Sequence, residues 1–430
     1  MHARSVLAAL ICVVASHTHA DSTAPNIPDT PVGRTLTAWL DAFNSGDRTR
    51  AEEFIRTHSW QADLDYVMRW TAEVGGYELL DVYTNDQTHI LFRLKPRVNG
   101  GEEIGTMQVS ATEPRALMEL ETFRVPPGAR FEEVRFDDAT RAGVIDRVTR
   151  VLNDSYVFPE TAEKMAAVLR KRKNSREYRS IRDGREFARQ LTADLREVSH
   201  DKHLDIRFSY VVLPTDLTRS NPEEEAKQLA AANCGFAKAE HLWPNVGYLK
   251  LDVFADTKIC GRTASAAMNF VADSDALILD LRDNHGGGGG MVEYLVSYLF
   301  AARTQLDSTY SRTQNATDET WTSPDVPGKK FLGKPVFVLT SNRTFSAAEY
   351  LANVLRNLER ATLVGETTGG GSHMVDVVRI DDHFSMRVPS GRPITRTDWE
   401  GTGLAPDVRV AADQALEAAL KLARSPASDK

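Results

Sequence analysis

After residue 245 the chain alternates short apolar runs with stretches of helical spacing, and that alternation narrows the fold more than any other feature. Residues 245–251 read as a strand, 264–272 as a helix and 276–281 as a second strand. Five consecutive glycines (286–290) follow. Then come a helix over 292–302, a polar excursion over 304–327, a strand over 336–339, a helix over 346–358 and a strand over 361–365. Strand–helix repeats of this kind build a layered α/β domain whose strands run largely parallel. Ligands in such sheets bind beyond the carboxyl ends of the strands. The glycine run and Ser346 both follow such ends, so they are expected to face one crevice.

Ser346 stands where the apolar run 336–339 gives way to Ala347, Ala348, Leu351, Val354 and Leu355 at helical spacing. Unpaired N–H groups and the helix dipole favour negative charge at such a terminus. A serine there can attack as a nucleophile while the N–H of Ala347 holds an oxyanion. Ser346, or Thr344 before it, can equally be a plain helix cap, and its surroundings have to decide. The glycine loop after Asp280 lacks the spacing and the lysine of a phosphate loop. Its glycines let the backbone approach a ligand and point N–H groups at it. That suits a second oxyanion donor opposite Ala347.

The 430 residues suffice for two or three domains. A net charge of −8 leaves no basic excess to neutralise phosphates, so nucleic acid is not an expected partner. Arg4, the apolar run 5–15 and the small residues ending at Ala20 read as a secretory signal peptide over 1–20, cut after Ala20. The run is too short to span a bilayer, so the mature chain is expected to be periplasmic or secreted, without a membrane span. Cys234 and Cys260 then lie in an oxidising compartment, where they form one disulfide or stay as two buried thiols. Two cysteines without clustered His, Asp or Glu give no zinc spacing, so no metal or other cofactor is expected.

Residues 21–31 read as a polar tether. Residues 32–125 show two helices followed by four strands separated by turns, a small α+β accessory domain. Residues 138–212 are largely helical and end in "VSHDKHLDIRF", where a helix gives way to a strand. The α/β core is placed at 245–420.

Four ordered motifs, "LILDLRDNHGG", "PVFVLTSNRTFSAAE", "LVGETTGGG" and "WEGTGLAPDV", make residues 138–420 resemble the C-terminal-processing (tail-specific) serine peptidases. The resemblance implies a ClpP/crotonase-like α/β core. It also implies Ser346 as nucleophile and an oxyanion hole near Gly286, Gly287 and Ala347. The best-known branch takes a lysine as base 25 residues beyond the serine; position 371 here is Gly, which excludes that dyad. No peptide-binding PDZ module is evident. "YVFPETAEKM", "VSHDKHL" and "NVGYLKLDVF" resemble instead the branch containing interphotoreceptor retinoid-binding protein and the tricorn protease core. That branch implies His203 as base and Glu400 as its orienting carboxylate. The accessory domain loosely resembles the cystatin-like cone domains that precede some bacterial serine hydrolases.

A serine hydroxyl needs a base titrating near neutrality, and a carboxylate to fix the imidazole tautomer. His373 and His285 compete with His203 for that part. Glu400 is also placed to pair with Arg392 or Arg396, and Glu349 is expected to make a structural pair. The expected function is an exported serine peptidase acting on peptides or unfolded protein tails. A non-catalytic carrier of apolar ligands and a small-substrate esterase or amidase are the alternatives. Self-association into a homo-oligomer is left open.

Overall fold

The computed structural model describes residues 25–83, 87–98, 101–125, 130–131, 136–181, 183–217, 222–394 and 399–424. The expected signal peptide, part of the tether and Arg396 lie outside them. The chain divides into two compact units between residues 125 and 126.

The first unit contains α1 (Pro31–Ser45), α2 (Arg48–Thr57) and α3 (Leu64–Val74), then β1 (Tyr77–Val82), β2 (His89–Pro96), β3 (Glu103–Val109) and β4 (Leu117–Arg124). The strands form an antiparallel meander in chain order. Side-chain caps start the helices: Thr30, Asp47 and Asp63 each accept a backbone N–H of the first turn. Trp39, Phe43 and Tyr77 are buried in one cluster with Ile90, Phe92 and Leu94 of the sheet. The third helix is an addition to the two expected. Val67, Thr71 and Val74 mark its buried stripe, a helical period that the intervening polar residues obscure.

The second unit opens with β5 (Arg130–Phe131) and three helices, α4 (Asp138–Ser155), α5 (Pro159–Asn174) and α6 (Gly184–Ser199). Next come β6 (Asp205–Phe208), β7 (Val211–Val212), α7 (Pro222–Ala231), β8 (Phe236–Leu242), β9 (Val246–Leu251), α8 (Thr257–Phe270), β10 (Ala276–Asp280) and α9 (Gly289–Ser297). The polar stretch expected as an excursion is a hairpin, β11 (Gln305–Ser311) and β12 (Ala316–Trp321). The chain continues through β13 (Val336–Thr340), α10 (Ala347–Asn357), β14 (Thr362–Gly365), β15 (Met374–Arg379), β16 (Phe384–Pro393), β17 (Val408–Arg409) and α11 (Ala415–Arg424).

The main sheet has the order β17-β14-β13-β10-β9-β8, parallel except for the edge strand β8. Leu249, Leu277, Leu279 and Val338 pack on one face with α8, α9 and α10. Tyr248, Ile278, Phe337 and Leu339 pack on the other with Ala415 and Ala419 of α11. Covered on both faces, these strands are nearly continuously apolar.

A second sheet, β12-β11-β16-β15, lies off this layer, and β6 pairs with β16. The helices α4, α5 and α6 bury their apolar stripes against Ile206 of β6 and against Phe384, Met386 and Val388 of β16. The helical segment therefore shares a core with strand β16 of the second sheet.

Cys234 and Cys260 form a disulfide, with Cα atoms 5.6 Å apart, which ties the turn before β8 to α8. Both are buried. Replacing both cysteines by serine is expected to destabilise the fold by roughly 3–4 kcal/mol, from the loop entropy restored to the unfolded chain. Urea unfolding of wild type and variant checks this, and a loss below about 1 kcal/mol would contradict it.

Candidate active site

The turn between β13 and α10 is strained at one residue. Ser346 has φ 55° and ψ −122°, a left-handed conformation that costs a non-glycine residue about 1–3 kcal/mol. Its neighbours hold it there. The Thr344 hydroxyl donates to the Leu281 carbonyl (2.8 Å), and Phe345 N–H donates to the Asn284 carbonyl (3.0 Å). These two bonds join the serine turn to the loop after β10.

Glu349, one turn into α10 and fully buried, supplies the rest. Its carboxylate accepts the N–H groups of Ser346 (3.0 Å), Gly370 (2.8 Å) and Gly371 (2.7 Å), and the Thr368 hydroxyl. Burial pushes this carboxyl up, and the four donors offset that only in part, so the net shift is upward. The structural pairing expected of Glu349 is thus a clamp between the serine turn and the loop after β14.

The glycine loop lies against the serine. An added Cβ on Gly286, which has φ 106°, would stand 2.8 Å from Ser346 Cβ. One expected donor needs correction: Gly286 N–H donates to Asn284 Oδ1 (2.8 Å) within its own loop and is not available to an oxyanion. Phe254 N–H donates to the Gly286 carbonyl and Gly288 N–H donates to the Phe254 carbonyl. Among the described residues, no acceptor takes the N–H of Gly287 or of Ala347.

His203 follows α6 and stands two residues before β6. Its side chain is 1% exposed, and its ring packs on Phe345 with centroids 4.7 Å apart. It therefore lies against the residue before Ser346. Nδ1 faces two carboxylates, Asp201 Oδ1 at 3.8 Å and Glu400 Oε2 at 3.9 Å. Neither ring nitrogen has a hydrogen-bond partner among the described residues, Ser346 Oγ included.

The second histidine of this cluster is His373. Its Nδ1 pairs with Asp201 Oδ2 at 2.6 Å and lies 3.4 Å from Glu400 Oε2. Asp201 is fully buried and doubly engaged: Oδ1 accepts His203 N–H (2.9 Å), and Oδ2 also accepts the Tyr156 hydroxyl (3.2 Å). Glu400 Oε2 accepts the N–H groups of Ser372 (2.6 Å) and His373 (3.3 Å). Of the other candidates, His285 is exposed on the glycine loop. Arg392 packs over Phe158 and Tyr310 rather than pairing with Glu400.

The electrostatics follow from two carboxylates and two imidazoles sharing a dry site. Burial pushes the Asp201 carboxyl up, but His373 and the His203 N–H outweigh it and the net shift is downward. Burial and then the Asp201 charge push Glu400 up to about 7. Burial, only partly opposed by Asp201, pushes His203 down to about 4, which leaves its ring neutral at physiological pH.

Residues 245–410 match peptidase family S41, and residues 138–241 match the N-terminal domain of peptidase S41 in eukaryotic IRBP. The chain belongs to peptidase family S41. Carboxyl-terminal-processing peptidase 1 of the Arabidopsis thaliana chloroplast is 30% identical over 171 residues, which is 38% of this chain and 33% of that protein. The carboxyl-terminal-processing protease of Synechocystis sp. is 31% identical over 170 residues, 38% of this chain and 37% of that protein. The chain thus spans about a third of the length of these curated relatives. A solved structure of a putative peptidase from Parabacteroides merdae is 19% identical with a TM-score of 0.49, covering 66% of this chain and 97% of that one.

For an S41 chain, position 371 has a physical interest. An added Cβ on Gly371 would stand 2.4 Å from the Phe345 ring and 2.7 Å from His203 Cε1. Any side chain at 371 would compete with the imidazole for the same space. Asp201 is the site residue that the sequence left unremarked. It lies inside the "VSHDKHL" stretch, but nothing local distinguishes it from a surface aspartate.

Replacing Glu349 by alanine strands three buried N–H groups and a hydroxyl, at about 1–3 kcal/mol for each group left unpaired. A stability loss of about 3–5 kcal/mol in urea unfolding is expected for Glu349→Ala, with a smaller loss for Glu349→Gln. A loss below about 1 kcal/mol would show that the carboxylate does not hold the turn.

Proposed function

We propose that this chain is an exported serine peptidase in which Ser346 attacks, His203 is the general base and Glu400 orients and compensates the imidazole. One observation carries the reading. A buried, neutral imidazole with both nitrogens unpaired packs on the residue preceding a serine held in a strained turn at a helix N-terminus.

The reaction runs as follows in this geometry. Ser346 Oγ adds to the scissile carbonyl carbon, and its proton passes to His203 Nε2. This requires an approach to about 3 Å, which forms once substrate occupies the crevice. The oxyanion takes hydrogen bonds from Gly287 and Ala347 N–H, where the α10 dipole adds to the stabilisation. His203 then returns the proton to the leaving amine, and a water repeats the sequence on the acyl-enzyme. Nδ1–H of the imidazolium points at the carboxylates. Glu400 Oε2 lies 3.9 Å from this Nδ1 and is the carboxylate oxygen assigned to hold the ring.

Peptides or unfolded protein tails are the proposed substrates, in keeping with the names of the carboxyl-terminal-processing relatives. Export is supported by the disulfide, which fits an oxidising compartment. Among the described residues no helix is long and apolar enough to cross a membrane.

Ser346→Ala and His203→Ala are each expected to abolish labelling by a fluorophosphonate probe and turnover of unfolded casein. Glu400→Gln is expected to lower kcat by about 10²–10⁴ with little change in KM, as losing an orienting carboxylate does. Normal labelling in His203→Ala, with loss in His373→Ala, would move the base to His373. Turnover of small esters but of no polypeptide would replace the peptidase by an esterase.

Gly371→Ala is expected to displace the His203 ring and lower kcat/KM by about 10², the usual cost of an ångström of misplacement. Unchanged kcat/KM in a folded Gly371→Ala chain would contradict the packing described.

A further inference from the structure

The cluster behind His203 has a donor set that the catalytic reading leaves partly unused. His373 Nδ1 and carboxylate oxygens of Asp201 and Glu400 all lie within 4.8 Å of one another, and all three residues are buried or nearly so. A fourth group, His203, lies beside this cluster. The His203 side chain is 1% exposed, its Nδ1 is unpartnered, and it lies 3.8 Å and 3.9 Å from those two carboxylates. We propose that Asp201, His373, Glu400 and His203 bind one divalent cation of the zinc class, and that the bound metal holds the peptidase in an inactive form. The inhibitory consequence rests on the functional reading above; the binding does not.

The chemistry fits that class of ion. Two imidazole nitrogens and two carboxylate oxygens are a borderline donor set, suited to zinc and its transition-metal neighbours and poorly suited to magnesium or calcium. With metal–ligand bonds of about 2.0–2.1 Å, a tetrahedral site needs donor atoms about 3.3 Å apart. The present separations are 2.6 Å from His373 Nδ1 to Asp201, 3.4 Å from His373 Nδ1 to Glu400, and 3.8 and 3.9 Å from His203 Nδ1. The His373–Asp201 pair has to open by about 0.7 Å and His203 Nδ1 to approach each carboxylate by about 0.5–0.6 Å. His203 stands outside the three-residue group whose donor atoms lie within 4.8 Å of one another, so its ring has to swing in to complete the set.

Charge favours the same outcome. Two carboxylates share a site with little solvent, and a dication compensates both where a single proton compensates one. The ligating groups are already held in orientation: the Tyr156 hydroxyl donates to Asp201, and Ser372 N–H donates to Glu400.

Binding displaces the proton held between His373 Nδ1 and Asp201 Oδ2: from a neutral ring it moves to Nε2, and from an imidazolium it leaves to solvent. Taking up His203 Nδ1 turns or pins the ring that has to receive the Ser346 proton, and it occupies Glu400. The sequence showed no metal spacing because Asp201 and His203 stand far along the chain from His373 and Glu400. Only the fold brings them together.

The test uses the full-length Ser346→Ala chain, stripped with a chelator. It is titrated with zinc chloride by calorimetry and with cobalt chloride by visible absorption. One zinc per chain and the intense absorption of four-coordinate cobalt are expected, with no heat from magnesium. His373→Gln and Asp201→Asn in the same background should each weaken zinc at least about tenfold. Circular dichroism confirms folding, and either variant suffices if the other fails to fold. With Ser346 present, zinc should inhibit hydrolysis reversibly on addition of chelator, and His373→Gln should shift that inhibition to higher zinc.

No zinc heat and no cobalt spectrum overturn the site, as does binding that neither substitution weakens. Binding without inhibition of an active enzyme overturns the inhibitory part. Binding to a wild-type chain that hydrolyses nothing leaves the metal site standing and removes the peptidase reading instead.

Discussion

The pairing of β6 with β16 is the contact on which the site depends. Four residues of the helical segment join a strand of the α/β unit, with Asp205 opposite Arg387, Ile206 opposite Met386, Arg207 opposite Ser385 and Phe208 opposite Phe384. His203 stands two residues before this strand, so the register sets how far its ring reaches. Side chains alternate along a strand, so a slip by one residue would turn Ile206 from the core to the outer face. The apolar layer of α4, α5 and α6 against Ile206, Phe384 and Met386 opposes that slip. Packing remote from the chemistry thereby fixes the imidazole against Phe345.

Two buried carboxylates have different tasks in the same crevice, and their surroundings explain the difference. Glu349 accepts four donors that the serine turn and the loop after β14 would otherwise leave unpaired. It acts through hydrogen bonds, and its charge is spread over them. Burial and then the ionised Asp201 beside it raise the affinity of Glu400 for a proton. A group in that condition responds to any positive charge forming nearby, whether on an imidazole or on a metal ion. Asp201 is anchored on both oxygens and organises the cluster without being free to reorient.

The parallel layer was legible because its strands are covered on both faces. Runs such as 276–279 and 336–339 are apolar throughout, and polar residues or glycine follow their ends. The second sheet was not legible. β12 is mostly polar, and neither it nor β15 has a fully buried position, so neither shows the buried-strand pattern. The serine turn and the glycine loop could be read from local sequence. The engagement of Gly286 N–H with Asn284 could not, since it depends on a side-chain orientation two residues away.

Ser346 at a strand-to-helix junction, the glycine loop one strand earlier and the absence of a lysine at 371 are properties of the sequence alone. They follow from hydrophobic period and residue type, which act over a few neighbours. The histidine set beside the serine, the joining of Asp201 to His373, and the disulfide between Cys234 and Cys260 were decided only by tertiary structure. Each depends on strand register and core packing between segments far apart in the chain, and such distances are fixed by the whole fold rather than by any local pattern.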